Sequence, residues 1–315
     1  MPIAPPAALS RHEVVQAGRR IAGHVRTTPV AVVEHAGNPV VLKLEQMQHT
    51  GTFKARGAFN RLLAVRESGE LTDAGVVAAS GGNAGLAVAY AAGQLGVHAE
   101  IYVPEVISRA KADRLKALGA KVVTTGAAYA ESLAAARQRI AETGAVEVHA
   151  YDQCDVAAGQ GTIGIELLDQ AEFDTVLVAV GGGGLAAGIT AAVSDRAHVV
   201  AVEPATLPTM HAALAARGPV DIDVDTTSVA ADSLGARRAG DIAYATLATA
   251  GVCTILVSDD AIVAARQHLW DSYRLVVEHS GAAALAALLD RAYVPESAER
   301  LAVVLCGANT SPADL

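Results

Sequence analysis

Along this 315-residue chain, short runs of β-branched residues alternate with longer alanine-rich stretches. The strand candidates are 40–45, 75–79, 99–103, 121–125, 146–149, 175–180, 199–202, 254–257 and 302–305. Helical stretches lie between them at 57–67, 84–95, 108–118, 130–143, 161–170, 184–193, 259–273 and 281–289. Alternation of this kind predicts an α/β fold of mainly parallel sheets with helices on their faces. Nine strands are many for one open sheet, so two linked sheets are expected. The least regular segment, 207–240, is expected to wrap the surface near a site. In such folds ligands sit beyond the carboxyl ends of the strands.

Hydrophobic residues make up 52% of the chain but aromatics only 3%. The core must then be built from Ala, Val, Leu and Ile, which suits buried parallel strands. The net charge of −9, with Lys and Arg scattered, argues against nucleic acid or an anionic membrane as partner and leaves small-molecule ligands open. The segment 175–194 carries no charge and has the length of a membrane helix. Gly181 to Gly184 interrupt it, which predicts a buried strand, a glycine turn and a helix instead. Residues 1–10, with three prolines, read as a loose arm rather than a signal peptide. Cys154, Cys253 and Cys306 lack paired spacing, and the ten histidines have no metal-ligand spacing, so neither a disulfide framework nor a metal site is expected. A reducing cytoplasm is the expected home.

Four segments carry the chemistry. Ala79-Ser80-Gly81-Gly82-Asn83-Ala84-Gly85 joins a strand to an alanine-rich helix. It offers close backbone approach and a helix start suited to a carboxylate or phosphate; a serine N-cap with a tight turn is the plainer alternative. Val180-Gly181-Gly182-Gly183-Gly184-Leu185 repeats the strand–glycine–helix pattern. Four glycines are entropically costly for a mere turn, and cradling a phosphate on main-chain N–H groups explains them, although neither common nucleotide signature is present. Lys54 lies in Gly51-Thr52-Phe53-Lys54-Ala55-Arg56-Gly57, among small and apolar residues, where desolvation makes an amine nucleophilic toward a carbonyl. A solvated surface lysine is its ordinary alternative. Val304-Leu305-Cys306-Gly307-Ala308-Asn309 ends the last strand, with Cys306 readable as a small buried hydrophobe. Glu278, ahead of Ser280-Gly281, reads as a carboxylate at a helix start.

Together these segments resemble the fold-type II pyridoxal 5′-phosphate (PLP) enzymes, specifically the serine/threonine dehydratase branch. The likeness rests on Thr28-Pro29, Lys43-Leu44-Glu45, Thr50 to Gly57, Ser80 to Gly85, Gly159-Gln160-Gly161-Thr162, Gly181 to Gly184 and Cys306-Gly307, in that order. The resemblance implies that Lys54 carries the cofactor as a Schiff base and is the catalytic base. It implies that Phe53 packs on the ring, Asn83 meets the ring hydroxyl, and Gly181, Gly182, Gly183, Gly184 and Leu185 hold the phosphate. Cys306 would face the ring nitrogen, and Glu278 would belong to the cofactor-binding residues; Ser80, Gly81, Asn83 and Ala84 would meet the substrate carboxylate. It also implies a tryptophan synthase β-subunit-like fold: a large domain from 1–46 and 150–315, a small mobile domain from 47–149, and a homodimer. The activity implied is β-elimination of water from L-threonine or L-serine, giving a 2-oxo acid and ammonia.

Departures from the family narrow this. Racemases carry a serine base directly after the position of Ser80, where this chain has Gly81. Sulfhydrylases have a polar residue where Ala84 stands and an acidic residue where Ala55 stands. Cation-binding members have an acidic residue where Thr209 stands, so a divalent metal is not expected, while a monovalent ion stays open. Biosynthetic threonine dehydratases add a C-terminal regulatory domain, and feedback control through one is not expected here. The neutral Cys306 thiol is expected to favour prompt loss of the β-hydroxyl. Other β-hydroxy amino acids remain open as substrate, namely hydroxyaspartate, phenylserine or a hydroxyectoine-derived compound. Tyr151-Asp152 and 207–240 are the expected discriminators, and Arg237 and Arg238 are either pocket cations or surface. A non-catalytic PLP carrier is the alternative from outside enzymology.

Overall fold

The structure, a computed structural model, describes residues 7–315. In chain order the strands are β1 (Val30–His35), β2 (Asn38–Leu44), β3 (Val76–Ala79), β4 (Ala99–Val103), β5 (Lys121–Thr124), β6 (Val146–Glu147), β7 (Thr175–Ala179), β8 (His198–Pro204), β9 (Cys253–Val257) and β10 (Leu301–Leu305). The helices are α1 (Arg11–Ile21), α2 (Lys54–Glu67), α3 (Asn83–Leu95), α4 (Arg109–Ala117), α5 (Tyr129–Thr143), α6 (Cys154–Gln170), α7 (Gly184–Val193), α8 (Thr209–Ala216), α9 (Ala231–Leu234), α10 (Asp241–Ala250), α11 (Asp259–Tyr273) and α12 (His279–Leu289).

Two sheets form, as the strand count predicts. One has the order β1-β2-β10-β7-β8-β9, the other β5-β4-β3-β6. Every pairing is parallel except the β1–β2 hairpin at one edge. The central strands β7 and β10 are buried throughout, matching their unbroken apolar runs. Helices α7 and α12 are nearly all Ala, Gly, Leu and Ile; α7 is buried throughout and α12 at all but its two end residues, and small side chains let helix and sheet approach closely. The uncharged segment 175–194 thus resolves into β7, the glycine turn and α7.

The structure adds elements that periodicity misses. The β1 edge strand and helices α1, α8 and α10 were not expected. Helix α6 starts at Cys154, well before the expected 161, because Gly159, Gly161 and Gly164 do not break it. They are contact points: a Cβ on Gly159 would lie 2.6 Å from the Arg56 carbonyl in α2, and one on Gly161 2.5 Å from the Gly188 carbonyl in α7. The strand expected at 146–149 shrinks to two residues. Segment 207–240 holds α8 and the short α9, and is otherwise irregular. Residues 1–6 of the expected loose arm lie outside the described residues. Leu9 at its end is buried, its N–H bonded to Thr246 Oγ1 at 2.9 Å, and Ser10 caps α1 through a capping box.

Beneath the site lies a buried ionic cluster. The Arg56 guanidinium, fully enclosed, donates to Glu45 at 2.7 and 2.8 Å, to Glu166 at 2.6 and 2.9 Å, and to Thr162 Oγ1 at 3.1 Å. Lys43 Nζ donates to Glu166 at 2.8 Å, Gln170 at 2.7 Å and the Thr28 carbonyl at 2.8 Å, and Thr28 Oγ1 bonds Glu45. Two cations meet two carboxylates, so the cluster is neutral. Burial works against the Glu166 carboxylate, but Arg56 and Lys43 outweigh it and hold its pKa below the usual range. The motif Lys43-Leu44-Glu45, together with Thr28, Arg56 and Thr162, therefore builds the scaffold under α2.

Candidate active site

The ends of β2, β3, β6, β7 and β10 converge on one cleft. Parallel register sets Leu305 beside Leu44, so the segments leaving β2 and β10 start level. They then zip together: Thr52 bridges Gly307, Phe53 N–H donates to the Cys306 carbonyl at 3.2 Å, and Ala308 N–H donates to the Gly51 carbonyl at 2.9 Å. Thr50 and Gly51 turn the loop through positive φ, 62° and 77°. Lys54 is thereby set at the first turn of α2 with its amine 4.9 Å from the Phe53 ring centroid and donating to the Ala150 carbonyl at 2.8 Å. Desolvation by burial lowers its pKa to about 8. It is not a solvated surface lysine.

The turn after β7 shows why four glycines stand in a row. A Cβ on Gly181 would meet the Leu234 backbone at 2.9 Å, on Gly182 the Tyr151 ring at 2.5 Å, on Gly183 Ala243 and Met210 at 2.7 Å, and on Gly184 the Tyr151 carbonyl at 2.6 Å. Gly183 also has φ +92°. Close packing is thus a reason for the run beside the expected phosphate binding. The first backbone bond at this end of α7 runs from Ala187 N–H to the Gly183 carbonyl, so the N–H groups of Gly184, Leu185 and Ala186 precede the helix ladder. No side chain caps this helix start.

The turn after β3 repeats the geometry. Helix α3 has Gly82 as its N-cap, with no side-chain bond, and its ladder begins at Leu86 N–H to the Gly82 carbonyl. Ser80 Oγ accepts from Gly82 N–H at 3.3 Å instead of capping the helix, which corrects the plainer serine-cap reading. Ser80, Gly81, Gly82, Asn83 and Ala84 are all part-exposed along the cleft. A Cβ on Gly81 would sit 2.8 Å from Ile107 Cδ1.

Asn83, Glu278, Asn309 and Cys306 form the floor. Asn83 Nδ2 donates to Glu278 Oε1 at 2.8 Å, and Asn83 Oδ1 accepts from Asn309 Nδ2 at 2.8 Å. Glu278 does stand at the N-cap of α12, but its side chain serves Asn83 and Ser280, at 2.8 Å each, and not the helix. Burial pushes its pKa up. Burial, then the charge of Glu278, pushes the Cys306 thiol up to about 12, so it is neutral at ordinary pH. Its Sγ donates to the Ser280 carbonyl at 3.5 Å.

Hydrogen bonds tie Asn83, Glu278 and Asn309 to the lysine loop, and the turns at 80–84 and 181–184 follow β3 and β7. Arg237 and Arg238 are exposed. Sequence reading missed Asn309 as the tie between Asn83 and the lysine loop. It also missed Ala150, whose contribution is a carbonyl and so invisible in residue type, and His149 and Gln160, taken up below. At the position compared with a cation ligand, Thr209 Oγ1 donates to the Ala236 carbonyl at 2.7 Å. The neighbouring Glu203 carboxylate accepts from Met210 and His211 N–H at 2.7 and 2.8 Å.

These residues fit a phosphorylated aldehyde cofactor. A desolvated amine lies beside two uncapped helix starts, and a neutral thiol lies across from it. Comparison with known proteins agrees. Residues 21–307 match the family model described as pyridoxal-phosphate dependent enzyme. The biosynthetic L-threonine dehydratase of Mycobacterium tuberculosis is 38% identical over 303 residues, covering 92% of this chain and 70% of that protein. The phenylserine dehydratase of Ralstonia pickettii is 36% identical over 303 residues, covering 93% and 91%. Maize serine racemase superposes with a TM-score of 0.89 at 30% identity, covering 97% and 95%. By its fold, its lysine and its matched length, this chain belongs to the pyridoxal-phosphate dependent enzymes.

Proposed function

We propose that the protein removes water from a small β-hydroxy amino acid, L-threonine or L-serine, to give a 2-oxo acid and ammonia. The observation that carries this reading is the Lys54 amine, held in the cleft with a pKa of about 8 beside a helix start able to take a carboxylate. The names of the mycobacterial and Ralstonia relatives, both dehydratases, support it. In this reading Lys54 holds the cofactor, Gly181 to Gly184 with Leu185 bind its phosphate, Phe53 packs on its ring, Asn83, held by Glu278, meets its hydroxyl, and Cys306 faces its ring nitrogen.

Bound PLP supplies an electron sink in conjugation with the substrate Cα. The first-turn N–H groups of α3, with Ser80, Gly81, Asn83 and Ala84, orient the substrate carboxylate. Lys54 Nζ takes the Cα proton, a role suited to an amine whose pKa is near working pH. The β-hydroxyl leaves as water with the proton that Lys54 Nζ has taken from Cα. The resulting enamine tautomerises to an imine, which one water hydrolyses to the 2-oxo acid and ammonia. The neutral Cys306 thiol cannot hold a charged ring nitrogen, which favours early departure of the hydroxyl.

Racemisation would need a second proton donor on the opposite face of the substrate. Gly81, with Ile107 packed against it, offers none. Residues 47–149 act as a small domain closing on the large one. Lys111 of α4 bonded to Asp232 of α9 at 2.7 Å, and Arg114 to Asn309 at 2.7 Å, support closure at the cleft mouth. The family likeness extends the reading to a cytoplasmic homodimer, for sedimentation and cell fractionation to test.

The test is a 2-oxo acid assay with L-threonine, L-serine, phenylserine and hydroxyaspartate, alongside chiral analysis of the remaining substrate. Rapid 2-oxo acid release from threonine or serine is expected. Preference for either of the others reassigns the substrate. Formation of D-amino acid without 2-oxo acid overturns the reading.

A further inference from the structure

The motif Gly159-Gln160-Gly161-Thr162 contributes Thr162 to the ionic cluster and its glycines to helix packing, but the side chain of Gln160 is left over. It is fully buried, and among the described residues neither its amide nitrogen nor its oxygen has a partner. Buried amides left unpaired are expensive, and a native one calls for an occupant. Gln160 lines a cavity of about 10 Å³, the room of one water-sized sphere, whose wall also includes Lys54, Ala84, His149 and Ala150.

His149 adds a donor of known sense. Its Nδ1 accepts from the N–H groups of Tyr151 at 3.2 Å and Asp152 at 2.9 Å. With that nitrogen accepting twice, the ring proton sits on Nε2. Desolvation lowers the His149 pKa, so the ring stays neutral. The Lys54 amine spends one hydrogen on the Ala150 carbonyl and has others to place. One cavity thus brings together an amide needing partners, an imidazole N–H and an amine.

We propose that this cavity is a single-water site in which Gln160 and His149 hold one water against Lys54 Nζ, making both of them positioning residues for the lysine. A water donates to a neutral amine and accepts from a charged one, so it serves Lys54 on both sides of a proton transfer. A charged group in the same place would fix the amine in one state. The other ionisable groups facing Lys54 are Cys306 at the end of β10 and Glu278 at the start of α12, while His149 follows β6. None of the three belongs to α6, which supplies Gln160.

The inference rests on Lys54 being the reactive amine, and its test is read on the full chain stripped of cofactor, so that turnover plays no part. Competitive acetylation with acetic anhydride, followed by mass spectrometry of the Lys54 peptide, gives the ionisation midpoint. The wild type is expected near about 8. Gln160→Glu should raise the midpoint by about one unit or more, cutting labelling at neutral pH about tenfold. Gln160→Met and His149→Phe should lower it, because the charged amine loses more than the neutral one when the water's anchors go. A high-resolution crystal structure should place a water between Gln160 and His149. Midpoints that stay put in folded Gln160→Met and His149→Phe proteins, or a dry cavity, overturn the proposal. So does a Gln160→Glu protein that folds and labels like the wild type. If elimination fails while these shifts appear, the proposed activity falls and the water site stands.

Discussion

Phe53 N–H donates to the carbonyl oxygen of Cys306, which makes the lysine loop and the end of the last strand one hydrogen-bonded piece. The backbones that carry the amine and the thiol are therefore tied together by main chain.

Covalent capture of the cofactor should depend on Lys54 alone. Borohydride reduction of the PLP-loaded protein is expected to add the cofactor to the Lys54 peptide. Lys54→Ala should show no such adduct and lose about three decades of elimination rate or more. An adduct on a different lysine would move the site.

The same lysine should leave a mark on stability. Its pKa is about 8 when folded against 10.5 for the free side chain. Between those values the unfolded chain binds more protons, so Lys54's contribution makes native stability rise with pH across that window. Denaturant unfolding of apoprotein should find Lys54→Met more stable than wild type near neutrality. The gap should narrow steadily toward pH 10.5. A gap independent of pH would mean that the amine is solvated.

The glycine turn separates two kinds of crowding. Gly182→Ala pushes a methyl against the Tyr151 ring, whereas Gly184→Ala pushes one against the Tyr151 carbonyl. Each should weaken PLP binding by about tenfold to a hundredfold in fluorescence titration. Adding Tyr151→Ala should recover affinity in the first variant and not in the second. Recovery in neither would place the damage in the N–H cradle and not in packing.

Arg56 is enclosed by two carboxylates, and removing one partner strands the others. Arg56→Met is expected to cost about 3–5 kcal/mol in denaturant unfolding. Arg56→Lys should restore little, because a single ammonium cannot serve Glu45 and Glu166 bidentately. A loss below about 1 kcal/mol would show the cluster to be hydrated.

Lys111 and Asp232 are exposed, so their bond is weak and screened by salt. Lys111→Asp should raise KM about two- to fivefold at low ionic strength with little change in kcat. The swap Lys111→Asp with Asp232→Lys should bring KM back. Failure of the swap would remove this pair from closure.

Much of the fold and the cleft is legible in the sequence. Period and composition give the two parallel sheets, and the strand–glycine–helix turns at Ser80–Gly85 and Gly181–Gly184 point to the cleft. What stayed hidden has identifiable causes. The first turns of helix α6 do not show in the pattern, because the glycines at 159 and 161 serve as contact points for Arg56 and Gly188 and carry no periodic side chain. The β1 strand mixes polar and apolar residues at a sheet edge, where periodicity is weak. Lys43, Glu45 and Arg56 sit in the motif of the reactive lysine and yet build its foundation, a division that side-chain type alone does not reveal. The partner of Lys54 is a backbone oxygen, which every residue carries.

Helix α2 begins at Lys54 and, two residues on, anchors Arg56 in the ionic cluster. The nucleophile is thus steered from behind, by a rigid post on the side away from solvent. The irregular 207–240 stretch over the cleft plays no part in that post. Substrate range in such a protein can drift by remodelling the cover while the reactive nitrogen stays where it is.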